Sequence, residues 1–183
     1  IAIIPAKGSS KGILGKSLGL LAGKPLIAYA IETAKKSEIF DKIFVSTDSE
    51  DIGKVAKKYD VDVIYEKEEN KDQFDLKTES YLRYSVNEIE KKKIEIGTII
   101  MIQLTSPFTL PEDIKKAFKK YKGVRYDSVL SVCKSSGGFK CGGFVWDEEG
   151  NSLNYDYKNR KRRQELPKTY LENGAFYIFS GKD

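Results

Sequence analysis

Residues 1–16 read Ile1-Ala2-Ile3-Ile4-Pro5-Ala6-Lys7-Gly8-Ser9-Ser10-Lys11-Gly12-Ile13-Leu14-Gly15-Lys16. The first four are apolar, three of them β-branched, and the run stops at a proline, as expected of a strand covered on both faces. The loop that follows carries three glycines, two serines and three lysines. Glycines let backbone N–H groups approach an anion, serines add hydroxyl donors and lysines add positive charge: the composition of a phosphate cradle. A flexible surface loop has the same composition. The loop is not a Walker loop, although Gly15-Lys16-Ser17 resembles the end of one, and it lacks the Gly-x-Gly-x-x-Gly dinucleotide turn.

Working outward, short apolar runs alternate with amphipathic stretches. Pro25 is expected at the first helical position of a helix whose apolar face is Leu26, Ile27, Tyr29, Ala30, Ile31 and Ala34. A strand is predicted over 42–47, a helix over 51–59, a strand over 61–65 and a polar loop over 66–77. A helix over 78–93 should turn Tyr81, Leu82, Ser85, Val86 and Ile89 to one side. Strands follow at 98–104 and 128–133, separated by a helix opened by Pro111 with Glu112 and Asp113 in its first turn. The alternation breaks over 135–168 and resumes with Ala175-Phe176-Tyr177-Ile178-Phe179, read as a strand returning to the sheet. Strands alternating with helices predict βαβ units. The expected fold is thus a three-layer α/β, mostly parallel, doubly wound, Rossmann-like sheet, interrupted by a hairpin or arm.

Composition narrows the chemistry. The 183 residues are one domain's worth, enough to bury roughly 70% of the unfolded surface. There is no histidine, which removes Ser-His-Asp and Cys-His nucleophile systems and most zinc sites. Two cysteines, Cys133 and Cys141, are too few for a thiolate zinc site or a disulfide scaffold, so a reduced, cytoplasmic setting is expected. No apolar run approaches the ~20 residues of a membrane span. The net charge is +5, but of 32 basic residues five are arginine, and lysines spread over helices read as a solvated surface rather than a nucleic-acid footprint. The basic run at 158–163 reads either as a polyanion-binding loop or as a solvated or interface loop.

Ligands of open parallel sheets bind outside the carboxyl ends of the strands, which makes the loop after the first strand the first candidate site. Here a family resemblance enters. Residues 3–13, followed by Leu21-Ala22-Gly23-Lys24-Pro25-Leu26-Ile27, resemble the N-terminal signature of the acylneuraminate cytidylyltransferases (CMP-sialic acid synthetases). Phe44-Val45-Ser46-Thr47-Asp48, Gln103-Leu104-Thr105-Ser106-Pro107, Arg163-Gln164-Glu165-Leu166-Pro167 and Glu172-Asn173-Gly174-Ala175-Phe176-Tyr177 resemble further motifs in the family's order.

The resemblance implies a nucleotide-diphospho-sugar transferase-like fold and CMP transfer from CTP to the anomeric hydroxyl of a nonulosonic acid, with pyrophosphate leaving. Such chemistry is mainly positioning and charge neutralisation, which suits a chain without histidine. By motif, Ala6, Lys7, Gly8, Ser9, Ser10, Lys11, Gly12 and Lys16 would hold the nucleotide, with Lys7 and Lys16 catalytic. Asp48 would lie beside the nucleotide, or else merely open a helix. Gln103, Arg163, Gln164 and Tyr177 would meet the sugar, Arg163 suiting its carboxylate. Asn173 and Tyr177 also fit pocket wall and sheet core.

The family usually has Arg at Lys7, Asn at Ser17, an Arg after the Thr-Ser-Pro motif and an Arg-Pro pair where Tyr65-Glu66-Lys67 stands. In the polar segment Asp75 alone is matched, to a family aspartate. The resemblance implies Mg²⁺ (or Mn²⁺), held by a C-terminal Asp-x-Asp segment expected beyond Asp183, so that a C-terminal segment is expected to be missing. It implies one nucleotidyltransferase domain over 1–183, with 135–168 a dimerisation arm of a homodimer, and CTP and a 2-keto sugar acid as partners, without nucleic acid or membrane. Two alternatives stay open: CMP transfer to 3-deoxy-manno-octulosonic acid, and a non-catalytic nucleotide- or polyanion-binding domain.

Overall fold

The computed structural model describes residues 1–8, 12–66, 78–124, 126–134, 146–153, 156–159 and 169–181. In chain order these form β1 (Ala2–Pro5), a hairpin of β2 (Leu20–Leu21) and β3 (Lys24–Pro25), α1 (Leu26–Ser37), β4 (Ile43–Thr47), α2 (Glu50–Lys58), β5 (Asp62–Tyr65) and α3 (Thr78–Lys91). Then come β6 (Thr98–Ile102), α4 (Pro111–Gly123), β7 (Ser128–Lys134) and β8 (Tyr170–Ser180).

Six strands make one sheet in the order β5-β4-β1-β6-β8-β7. β1 lies parallel to β4 and β6, and β4 parallel to β5, while β8 runs antiparallel to β6. The mostly parallel, doubly wound expectation holds, and the returning strand is the antiparallel one. It is also longer than 175–179, starting at Tyr170.

The centre of the sheet explains its apolar runs. Ala2, Ile3 and Ile4 are fully buried because helices cover both faces of β1. Ala2, Ile4, Val45, Ile100, Ile102 and Ile178 pack with Ile27 and Ile31 of α1, Ile52 of α2 and Ile114 of α4. Ile3, Phe44, Ile64 and Ile99 point the other way and pack with Ile89, Leu82 and Val86 of α3. Successive strand residues thus serve opposite layers, and each fully buried Ile or Phe contributes about 1.5–3 kcal/mol.

Local signals set the helix ends. Ser49 caps α2, its Oγ accepting from the Ile52 N–H at 3.5 Å, with Glu50 and Asp51 in the first turn and Lys57 and Lys58 in the last. Pro111 opens α4 as expected. Pro25 instead sits one residue before α1, extended and paired with Leu20. The hairpin that takes it is pinned to α1: Lys24 Nζ lies 2.8 Å from Glu32 Oε2 and 4.1 Å from the Tyr29 ring centre, and the Tyr29 hydroxyl donates to the Leu21 carbonyl at 2.6 Å.

The chain divides into two compact units, Ile1–Val129 with Ala175–Asp183, and Leu130–Gly174. In the second, Ser131 Oγ donates to Asn173 Oδ1 at 2.6 Å, joining β7 to the start of β8. Trp146 bridges antiparallel to Ser152 around a turn in which Asp147 Oδ1 accepts from the Asn151 N–H at 2.6 Å. Leu130, Val132, Trp146, Leu153, Tyr170 and Leu171 of this unit are exposed, and so is Cys133. Among the described residues no helix is long and apolar enough to cross a membrane.

Candidate nucleotide site at the carboxyl ends of the central strands

The strand register assembles the site. Pro5 pairs with Ser46, and Ser46 with Ile64, across β1, β4 and β5. Two residues further along each parallel strand are Lys7, Asp48 and Glu66. Side chains alternate with period two, so all three continue the face of Ile3, Phe44 and Ile64, the face that α3 covers. A row of one cation and two carboxyls therefore crosses the carboxyl edge of three adjacent strands, where ligands of such sheets bind.

The start of the β1 loop is held at three successive residues. The Ala6 N–H donates to the Ser46 carbonyl at 2.9 Å. The Lys7 carbonyl accepts from Ser17 Oγ at 3.1 Å. The Gly8 N–H donates to Asp48 Oδ1 at 2.6 Å, a charge-assisted bond. Gly8 must be glycine for this approach: a Cβ there would lie 2.9 Å from Ser49 Cβ and 3.2 Å from Asp48 Oδ1.

Lys16 is half-buried in a 3₁₀ turn, Lys16–Leu18, entered through Gly15 at φ 64. Ser17, 2% exposed, ties this turn to Lys7, so the two lysines proposed for the phosphates belong to one hydrogen-bonded unit. Ala6 is fully buried in the core on the α1 side and offers the loop only its backbone. Gly12 is exposed, with open space around its Cα. Asp48 is not the α2 cap; that is Ser49, and the Asp48 carboxylate is turned to the loop instead.

On the other side of β1, Gln103 follows β6 and is half-buried. Its N–H donates to the Ala175 carbonyl at 2.9 Å and its Oε1 accepts from Thr105 Oγ1 at 3.3 Å. Tyr177 pairs with Met101, two residues before Gln103, on the face that Phe179 shares with α3. Lys7, Asp48, Gln103 and Tyr177 thus come to one face of the sheet. Ser9, Ser10, Lys11, Asp75, Arg163 and Gln164 lie outside the described residues.

Two groups were not singled out for the site by sequence. Glu66 was assigned to the polar loop; counting two residues on from buried Ile64 would have found it. Burial and the neighbouring Asp48 carboxylate push its carboxyl up to about 7, with Lys7 pulling the other way, and its buried Oε1 has no hydrogen-bond partner among the described residues. Tyr81, expected only on a packed helix face, is 2% exposed and sends its hydroxyl to the Ser46 carbonyl. The Lys7 ammonium sits 5.6 Å from its ring centre. Burial, with Glu66 beside it, raises its phenol.

A divalent cation needs several ionised oxygens. Among the described residues no three His, Cys, Asp or Glu stand close enough to hold one. Asp48 Oδ1 already accepts the Gly8 N–H. The described residues do not fit a metal.

Residues 1–176 match the cytidylyltransferase family profile. The N-acylneuraminate cytidylyltransferase of Oncorhynchus mykiss is 36% identical over 186 residues, covering 98% of this chain and 40% of that protein. The pseudaminic acid cytidylyltransferase of Campylobacter jejuni is 29% identical over 183 residues, covering 100% and 78%. The fold is similar to that of a CMP:2-keto-3-deoxy-manno-octonic acid synthetase complexed with CTP, at TM-score 0.73 and 18% identity over 99% of this chain and 73% of that one. The chain thus spans about 40% of the length of the fish relative.

Proposed function

We propose, from the premise that this chain belongs to the cytidylyltransferase family, that it transfers CMP from CTP to the anomeric hydroxyl of a sialic-acid-like nonulosonic acid. The sugar oxygen attacks the α-phosphorus in line, the bond from that phosphorus to the bridging oxygen breaks, and pyrophosphate leaves. The hydroxyl proton passes from the sugar oxygen to solvent water. The observation that carries the reading is that the family match runs through Lys7, Asp48 and Gln103, which follow the carboxyl ends of three parallel strands on one face.

In this reading Lys7 and Lys16 neutralise phosphate charge, and the residues of the loop, Gly8 through Gly12, present donors to the triphosphate. Asp48 acts on the protein rather than on the phosphates: it holds the Gly8 backbone in place. Gln103 and Tyr177 serve the acceptor sugar, and the family motif assigns Arg163 and Gln164, outside the described residues, to the same substrate. The nonulosonic acceptor is favoured over the eight-carbon acid because relatives named for N-acylneuraminate and pseudaminic acid are 36% and 29% identical, against 18% for the octonic acid synthetase.

Mg²⁺ (or Mn²⁺) belongs to the proposal as a co-substrate ion of CTP, with no ligand assigned among the described residues. So does a cytoplasmic location. A homodimer is part of it too, its arm over 135–168: the unit containing that segment exposes Leu130, Trp146, Leu153 and Tyr170, apolar side chains that a second copy would cover.

The test is pyrophosphate release from CTP with Mg²⁺ and a panel of nonulosonic and octulosonic acids. Release with a nonulosonic acid and a loss of at least tenfold in turnover for Lys16→Ala, at an unchanged melting temperature, is the expected result. CTP binding without release for any acceptor would leave a binding domain. Light scattering at micromolar concentration reads the dimer, and a monomer would remove the arm.

A further inference from the structure

A lysine ammonium is a point charge on a flexible stem, and nothing in the side chain itself fixes where it points. At Lys7 the surroundings do. The Lys7 ammonium lies 5.6 Å from the centre of the Tyr81 ring, within the range of a cation–π attraction. The ring in turn is held by a network of three hydrogen bonds, two of which fasten α3 to β4. The Tyr81 hydroxyl donates to the Ser46 carbonyl, Ser85 Oγ donates to the Tyr81 carbonyl at 3.1 Å, and Ser85 and Ser46 share a bond between hydroxyls at 2.7 Å. Ser46 and Ser85 are fully buried and Tyr81 is 2% exposed, so these bonds are shielded from water. The Ser46 carbonyl also accepts the Ala6 N–H at 2.9 Å, so the carbonyl that receives the hydroxyl also holds the residue before Lys7.

We infer that Tyr81 is a positioning residue of the triphosphate site: its ring face fixes the Lys7 ammonium, while its hydroxyl contributes to the stability of the junction below. The inference rests on the CTP-dependent reading above. It assigns the two ends of one side chain to two separable effects. The ring acts on nucleotide affinity through Lys7. The hydroxyl acts on folding, and Ser46 keeps its Ala6 bond without it.

The experiment is a calorimetric titration of the purified protein with CTP at pH 7.5, with a thermal melt of each variant. Tyr81→Phe keeps the ring and removes the hydroxyl, so it is expected to melt lower and to bind CTP within about twofold of wild type. Tyr81→Leu removes both and is expected to raise the Kd roughly three- to tenfold. Added to Lys7→Ala, Tyr81→Leu is expected to weaken binding no further, since the cation it places is gone. If Tyr81→Phe weakens CTP as much as Tyr81→Leu does, or Tyr81→Leu keeps its full effect beside Lys7→Ala, Tyr81 acts through stability alone and the inference fails. Should Tyr81→Leu not fold, a fivefold or greater loss in Tyr81→Phe overturns it. A wild-type protein that binds no CTP overturns the nucleotide reading and this inference with it. Binding by wild type with Tyr81→Leu unaffected overturns this inference alone.

Discussion

Glu66→Gln should stabilise the protein by an amount that grows with pH. The Glu66 carboxyl is raised from 4.5 to about 7 by burial and by Asp48, and the groups that face it are Asp48 from the β4–α2 turn, Lys7 from the β1 loop and Tyr81 from α3. Below pH about 4.5 the carboxyl is protonated in both the folded and unfolded chain, and its ionisation costs nothing. Between 4.5 and 7 the unfolded chain has released the proton and the folded chain has not, so stability falls as pH rises. Above 7 the folded protein carries the charge and the penalty is complete. A shift of that size corresponds to about 3 kcal/mol, but the residue is partly open to solvent, and screening reduces this to roughly 1–2 kcal/mol. For a chain of this length that is roughly 2–8 °C in melting temperature. Melts of wild type and Glu66→Gln from pH 5 to 8 measure it. Any new contact of the glutamine adds a constant offset, so the slope is the test: a difference that stays flat across this range would refute the reasoning.

The same ionisation bears on ligand binding, because a charged Glu66 beside Lys7 opposes a triphosphate. CTP affinity is expected to weaken from pH 6 to 8 in wild type and to change less in Glu66→Gln, as read by calorimetry at constant ionic strength. Asp48→Ala strips the Gly8 N–H of its acceptor and should cost about 1–3 kcal/mol in urea unfolding; a loss under 0.5 would mean that water replaces the carboxylate without penalty. Gly8→Ala pushes a methyl against Ser49 and Asp48 and should cost about 1–3 kcal/mol and weaken CTP binding, whereas wild-type stability and affinity would show that the turn yields easily. Ser85→Ala removes the buried partner of Ser46 Oγ and should destabilise by about 1–3 kcal/mol, an effect that vanishes if Ser46 is replaced by alanine as well.

The layered fold was legible because each element's burial is written in its own residues. Ile1 to Ile4 and Ile99 to Ile102 are apolar throughout since both sides of a central strand are covered, and α4 announces its start with Pro111. The hairpin around Ala22 and Gly23 was not legible, since two-residue strands have no period to detect and Pro25 reads equally as a helix opener. Of the site, the β1 loop was visible from its glycines, serines and lysines. Asp48 was visible only as a strand-end residue with two readings; the structure gives the helix cap to Ser49 and shows the Asp48 carboxylate holding the Gly8 backbone of the candidate nucleotide loop.

By itself, then, the sequence determined the strands, the helices that cover them and the loop most suited to phosphate, because those properties are local to a segment. Tertiary structure decided which side chains meet. Gly8 and Asp48 are 40 residues apart and Tyr81 and Ser46 are 35 apart, and they touch only because β1, β4 and β5 lie parallel in one register with α3 across them. A shift of one residue in that register would send Asp48 or Glu66 to the opposite face, and nothing within either segment specifies the pairing. The charge row of Lys7, Asp48 and Glu66, and the aromatic face that holds its one cation, are therefore products of strand pairing.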